Sequence, residues 1–386
     1  VSTSVSKRNT YLQNKSLDLY RSGKPFFDLI TSLINEARYS IQVQTYIFEE
    51  DETGTLVADA LMHAARRGIK VSMVVDGYAS QDLSKTFIAK LRSSGIKFRK
   101  FEPIFKSKYY YFGRRLHHKV IVIDGLKAVV SGINISNNYN DFTDHAAWLD
   151  WAAFVEGDVA KELMRICKQR EEIIAYPKIT APDIELAANH NYRVRIRVND
   201  WVKRKMEITE SYLEMFRKAK SHVYLMSPYF LPGSELLKAI IQAADRGVKI
   251  NLILAGISDV QVAKHAERYM YRQIFKHNIH IYEYQPKVLH GKLATFDSKW
   301  TTVGSYNLNN ISAYASVELN LDIDNAAFAH DVEQRLLRII SLDCIKLDEE
   351  DYIRKMNFFK MFVQRSSYLI FRTLLYLFTF YFKQSE

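Results

Sequence analysis

Cysteine is nearly absent: the 386 residues hold two, Cys167 and Cys344. Neither lies in a ligand-like spacing, which excludes a disulfide framework and a thiolate zinc site. Both read as small core residues in apolar, helical contexts of a protein from a reducing compartment. Long apolar runs are missing as well. No N-terminal stretch resembles a signal peptide or a membrane span. In the hydrophobic C-terminal segment FFKMFVQRSSYLIFRTLLYLFTFYFK (358–383) the longest uncharged run, Thr373 to Phe382, is ten residues. That is about half of what a helix needs to cross a bilayer. Proline is scarce, with seven residues, and the 43 acidic side chains are outnumbered by 54 Lys and Arg, for a net charge of +11. This balance implies an anionic partner, a lipid surface or a nucleic acid, without separating the two. Apolar residues are plentiful: at 48% hydrophobic, the chain is long enough to bury two sizeable cores.

Two segments match. LHHKVIVIDG (116–125) and LHGKLATFDS (289–298) both place His, Lys and Asp at the same spacing: His117, Lys119 and Asp124, then His290, Lys292 and Asp297. Six residues after each Asp a small-residue step ends in Asn, as SGIN (Ser131 to Asn134) and GSYN (Gly304 to Asn307). The repetition extends beyond the motifs. ALMHAARRGIKVSMVVDG (60–77) and AIIQAADRGVKINLILAG (239–256) share a helix, an Arg-Gly turn and a strand, 179 residues apart from Gly68 to Gly247, while the two His lie 173 apart. A near-constant offset over most of each half means two similar lobes.

Alternation over the apolar run puts His117 and Lys119 on one side of a predicted strand. An imidazole can attack phosphorus or shuttle a proton near neutral pH, and an ammonium supplies charge for phosphate oxygens. Asn134 and Asn307 offer neutral donors to the same oxygens, and the small residues Ser131, Gly132, Gly304 and Ser305 let a phosphate approach the backbone. A single His on an apolar strand is usually a satisfied core residue; duplication favours the functional reading. Lys is not a metal ligand, so no metal is expected. Asp124 and Asp297, where strands give way to turns, read as structural charge partners.

At these residues the chain resembles the phospholipase D superfamily, whose signature is a tandem His-Lys-Asp motif. The second motif matches throughout; the first departs only in Ser131-Gly132. The resemblance covers roughly residues 20–345 and is closest to bacterial cardiolipin synthases of the span-free branch, through TYIFEEDETG (45–54), ARRGIKVSMVVDGYAS (65–80) and SPYFLPGSEL (227–236). It implies a phosphatidyltransferase that uses no cofactor and works through a phosphohistidine, with His117 as nucleophile and His290 as general acid and base, or the reverse. Lys119, Lys292, Asn134, Asn307 and Ser305 would hold the substrate phosphate. A carboxylate downstream of each motif would orient the His of the opposite half. The candidates are Asp150, 26 residues after Asp124, and Glu318, 21 after Asp297. Asp144 or Asp141 are alternatives to Asp150. Phospholipids are the implied substrates: phosphatidylglycerol, with phosphatidylethanolamine or cardiolipin as further candidates. The implied place is the cytoplasmic face of the bacterial inner membrane, bound peripherally. Water as acceptor would make the enzyme a phospholipase D hydrolase. A nuclease of the same superfamily is disfavoured, because a hydrophobic tail has no use in DNA cleavage, and no nucleic-acid partner is expected.

The expected fold is α/β: two similar phospholipase D-like lobes, each a mixed sheet flanked by helices, with the site at their interface. Lobe one is assigned to 1–175, a linker and the start of lobe two to 176–205, lobe two to 206–345, and a membrane-association segment to 346–386. Helices are predicted near 25–38, 55–67 and 82–94, and strands over 40–48 and 69–75. The aromatic and basic tail suits shallow insertion at an anionic membrane interface, or packing on the protein's own core. FKSKYYYFGRRLHHK (105–119) reads as a loop at the mouth of the site, meeting lipid or folding its aromatics inward.

Overall fold

A computed structural model describes residues 10–102, 114–171, 192–277, 279–309, 312 and 316–383. Residues 105–113 of the stretch 105–119, and 176–191 of the linker assigned to 176–205, lie outside these residues.

The first repeat runs β1 (Leu12–Arg21), α1 (Lys24–Glu36), β2 (Ser40–Thr45), α2 (Glu52–Arg66), β3 (Lys70–Asp76), α3 (Lys85–Ser93), β4 (Lys97–Phe101), β5 (Arg115–Leu116), β6 (Lys119–Ile123), β7 (Lys127–Ser131), β8 (Trp151–Gly157) and α4 (Asp158–Glu171). The second repeats the order with β9 (Tyr192–Asp200), the short β10 (Lys205–Met206), α5 (Glu207–Lys218), β11 (His222–Ser227), α6 (Ser234–Asp245), β12 (Lys249–Ile257), α7 (Gln261–Ile274), β13 (Ile279–Val288), β14 (Leu293–Phe296), β15 (Trp300–Gly304), β16 (Ser316–Asp324) and α8 (Ala326–Asp343). After the repeats come β17 (Cys344–Lys346), α9 (Glu349–Arg354) and α10 (Phe358–Lys383).

The helices form where expected, for local reasons. In α1, Pro25 sits in the first turn and Phe26, Phe27, Ile30, Leu33 and Ile34 make one buried stripe. Asp51 caps α2 by accepting from the Gly54 amide, and Asn325 caps α8 by accepting from Phe328. Gly68 and Gly247 close equivalent helix-to-strand turns at φ 88° and 92°, a region that disfavours a side chain.

Strand order in the first repeat is β4-β3-β2-β6-β7-β8-β1, with β2, β3 and β4 parallel and the rest antiparallel. The second repeats it as β13-β12-β11-β14-β15-β16-β9. The equivalent strands β1 and β9 then pair antiparallel through Leu12–Asn14 and Tyr192–Val194. The two expected sheets are therefore one continuous mixed sheet. One hydrophobic core lies beneath the junction, built from both repeats and covered by α4 and α8. Separate cores underlie α1 to α3 and α5 to α7.

Cys167 is buried in α4 as expected, but Cys344 opens a strand and is only partly buried. The Tyr352, Tyr368 and Phe371 side chains pack on the outer core of the second repeat, so the tail helix docks there by one face. Among the described residues no helix is long and apolar enough to cross a membrane.

Candidate active site

Each motif His is fixed to the other repeat by its backbone. Strand β5 pairs parallel with β16, and the His117 amide then donates to the Val317 carbonyl at 3.0 Å. In the second motif Leu289 bridges Leu149, and the His290 amide donates to the Leu149 carbonyl at 2.8 Å. Val317 and Leu149 directly precede Glu318 and Asp150. The carboxylates thus arrive beside the rings of the opposite half: His117 Nδ1 lies 2.9 Å from Glu318 and His290 Nδ1 2.6 Å from Asp150. Both carboxylates are fully buried. Among the described residues nothing hydrogen-bonds Nε2 of either ring, so that nitrogen is free for chemistry.

Neither His lies on a strand, contrary to the alternation argument; both occupy the break before β6 or β14. The lysines, two residues further, reach back. Lys119 Nζ donates to the His117 carbonyl at 2.8 Å, and Lys292 Nζ to the His290 carbonyl. Lys292 Nζ also lies 3.5 Å from Asp150.

The two halves are not equivalent. The Ser305 hydroxyl donates to the Glu318 carboxylate and accepts from the Leu319 amide, so it serves the carboxylate rather than standing free for a phosphate. The matching position in the first motif is Gly132, where a Cβ would fall 2.4 Å from Asp150 Oδ1. The Ser-Gly inversion therefore matters: the shorter Asp approaches the chain where no side chain fits. Asp150 Oδ1 accepts from the Trp151 amide instead, at 2.7 Å. Asn134 is engaged at both ends, with Oδ1 accepting from Ile47 and Nδ2 donating to the Tyr139 hydroxyl. Among the described residues nothing hydrogen-bonds the buried Asn307 Oδ1.

Aromatic rings that sequence reasoning missed surround the histidines. Tyr46 meets His117 edge-on at 4.7 Å between centroids, and Lys119 Nζ lies over the Tyr46 ring. Tyr139 meets His290 at 5.4 Å, with its hydroxyl 3.2 Å from Nδ1, and Trp148 lies beyond at 6.4 Å. Tyr46 directly follows β2, which is the available sequence signal; Tyr139 ends a single 3-10 turn (Asn137–Tyr139) and Trp148 lies in irregular chain. Asp76 was missed too. This buried carboxylate closes β3 and accepts from the Leu116 amide at 2.9 Å, one residue before His117.

Asp124 and Asp297 each hold three backbone amides. Asp124 accepts from the amides of Arg38, Tyr39 and Ser40 at 2.7 to 2.9 Å. Asp297 accepts from Lys220, Ser221 and His222 at 2.8 to 3.0 Å. Each clamps the loop that feeds the strand beside its motif. Asp141 accepts from Lys24 and Ala147 in a surface loop, and Asp144 is exposed; neither meets a motif His.

Burial dominates the electrostatics. It pushes the Lys119 ammonium down to about 7, aided by the Lys292 charge, and lowers Lys292 as well. Burial also lowers His117 against the opposing pull of Glu318, and lowers His290 with help from Lys292. Glu318 moves the other way: burial alone would raise it, but His117, Lys119 and Ser305 hold it below the ordinary carboxylate range. The His117 and His290 shifts both favour the neutral form of the ring. A site with two buried lysines beside two buried carboxylates is suited to an anionic phosphodiester.

A family model described as "Cardiolipin synthase, PLD-like domain" matches residues 30–169 and 212–340, the two repeats. Cardiolipin synthase B of Salmonella typhimurium is 33% identical over 350 residues, covering 87% of this chain and 83% of its own. Cardiolipin synthase B of Escherichia coli K12 is 30% identical over 352 residues, covering 88% and 84%. The crystal structure of phosphatidylserine synthase from Haemophilus influenzae superimposes with a TM-score of 0.74 over 95% of this chain and 96% of that one, at 16% identity, a likeness of fold. The twin repeats, the continuous sheet joining them and these matches agree: the chain belongs to the cardiolipin synthase family of phospholipase D-like proteins.

Proposed function

We propose that the protein is a phosphatidyltransferase of the cardiolipin synthase type, which moves a phosphatidyl group to a hydroxyl of phosphatidylglycerol. The observation that carries this reading is the crossed pairing of His117 with Glu318 and His290 with Asp150. His117 Nε2 attacks phosphorus, the P–O bond to the leaving alcohol breaks, and His290 Nε2 delivers the proton to that oxygen. Burial, which disfavours the charged His117 ring, suits a nucleophile. His290 must gain its proton as the anionic phosphodiester enters, since a negative charge beside it favours the imidazolium. In the second half-reaction His290 takes the proton of the acceptor hydroxyl, whose oxygen displaces His117 from phosphorus. Lys119 and Lys292 neutralise the phosphate oxygens, with Asn134 and Asn307 alongside. Glu318 and Asp150 hold Nδ1–H of each ring and stabilise its cationic form. The protein works peripherally at an anionic surface, the cytoplasmic face of the bacterial inner membrane.

Incubating the purified protein with phosphatidylglycerol, with and without phosphatidylethanolamine, tests the reading. Cardiolipin is expected. Phosphatidic acid alone would make the protein a phospholipase D hydrolase, and no lipid turnover beside cleavage of nucleic acid would overturn the lipid reading.

A further inference from the structure

Helix α10 is apolar on more than one face. Gln364, Ser367, Tyr368 and Phe371, spaced i, i+3, i+4 and i+7, turn toward the second repeat. Tyr368 stacks on Tyr269 of α7 with centroids 4.8 Å apart, and the Gln364 amide donates to the Tyr352 hydroxyl. A helix docked by one stripe ordinarily presents polar residues on the rest of its surface. Here Phe358, Phe359 and Phe362 are 79%, 73% and 60% exposed, with Leu369 and Ile370 further along. Ile345 of β17 and Ile353 of α9 are exposed as well.

Beside this ridge a cavity of about 470 Å³ opens between α7, β17, α9 and α10. Ile345, Met356, Phe359 and Val363 supply apolar lining; its charged residues are of both signs, with Glu283, Asp348 and Asp351 toward α7 and α9 and Lys355 and Lys360 toward α10. From Lys355 to Lys383 the chain carries five basic residues and no acidic one. The family match ends at 340, so the two repeats are complete without this segment. The exposed Phe ridge of α10 and the basic, acid-free run of 355–383 together fit an amphiphile with an anionic head.

We propose that α10, with the adjoining Lys346 and Lys355, forms a docking surface for an anionic phospholipid bilayer, the acidic α9 lying to one side of it. Phe358, Phe359 and Phe362 enter the acyl boundary, while Lys346, Lys355 and Lys360 meet headgroup phosphates. The inference rests on the membrane part of the proposed function, and binding is read without turnover so that the two fail separately.

The full chain is sedimented with phosphatidylcholine vesicles lacking or containing phosphatidylglycerol. Two variant sets are compared with it, Phe358→Ser/Phe359→Ser/Phe362→Ser and Lys355→Glu/Lys360→Glu. Wild type is expected to bind the phosphatidylglycerol vesicles, less at high salt, and each set to weaken that binding by about tenfold or more. Turnover of dispersed short-chain phosphatidylglycerol should stay at the wild-type level in both, which also reports folding. The charge-reversal set alters only exposed side chains, so it remains decisive if the serine set unfolds. Unchanged vesicle binding in the charge-reversal set would overturn the proposal. So would a wild-type dimer that the variants dissociate while vesicle binding persists, because a second copy would then cover the face.

Discussion

Replacing Asp297 separates a structural carboxylate from a catalytic one. Its Oδ1 accepts from Ser221 and His222, and Oδ2 from Lys220. An Asn with its oxygen in the Oδ1 place keeps two of these bonds and turns an NH2 group toward the third amide. Hydrogen bonds to a charged group contribute ~1.5–3 kcal/mol each, but Lys220 and Ser221 are exposed, so water recovers part of that. Asp297→Asn should therefore cost ~1–2 kcal/mol. Asp297→Ala loses all three bonds and places an Ala at φ 50°, for ~3 kcal/mol in total. Urea unfolding at constant m measures both losses.

The sign with pH follows from the same contacts. Burial alone would raise the Asp297 carboxyl, but the three amides and His222 hold it below its ordinary value. Its contribution is fully present above the unfolded value, ~4, and is lost as pH falls through the lower folded value. The gap between wild type and Asn should thus narrow as pH falls from the unfolded value through the lower folded one, and stay constant above that window. Turnover per folded molecule should be unchanged in Asp297→Asn. Wild-type stability in Asp297→Ala, or lost turnover in a fully stable Asn variant, would refute the clamp.

Glu318→Gln and Asp150→Asn, which keep shape and remove charge, should each lower kcat by about 10³ with little change in KM, as read by steady-state lipid turnover. Gly132→Ala should inactivate by displacing Asp150, because its Cβ has 2.4 Å to that carboxylate, whereas Ser305→Ala should cost only about tenfold. With Lys119 pushed down to about 7, kcat/KM should fall as pH rises through that value, and Lys119→Arg, charged throughout, should flatten the limb.

Local features of the chain were legible in its sequence. The period of the motifs, the Arg-Gly turns and the helix stripes are short-range patterns, and the helices near 25–38, 55–67 and 82–94 form within a few residues of those bounds. The junction was not legible, because pairing of Leu12–Asn14 with Tyr192–Val194 joins residues some 180 apart and leaves no periodic trace. Within the site, the histidines stand off the strands because each must hydrogen-bond a carbonyl of the other repeat. The Ser-Gly inversion looked inconsequential in one dimension. It gains meaning only when Asp150 is seen to lie against Gly132. Tyr139, Trp148 and Asp76 carry no motif of their own and reach the histidines through tertiary contacts alone.

The composite site is tested most directly by intact-mass and peptide analysis of the two single-His variants after exposure to phosphatidylglycerol. A covalent phosphatidyl adduct on His117 in His290→Asn, and none in His117→Asn, is the expected result. An adduct on His290 in His117→Asn, with none in His290→Asn, would contradict the assigned roles, and independent turnover by either variant would contradict a single site shared by the two repeats.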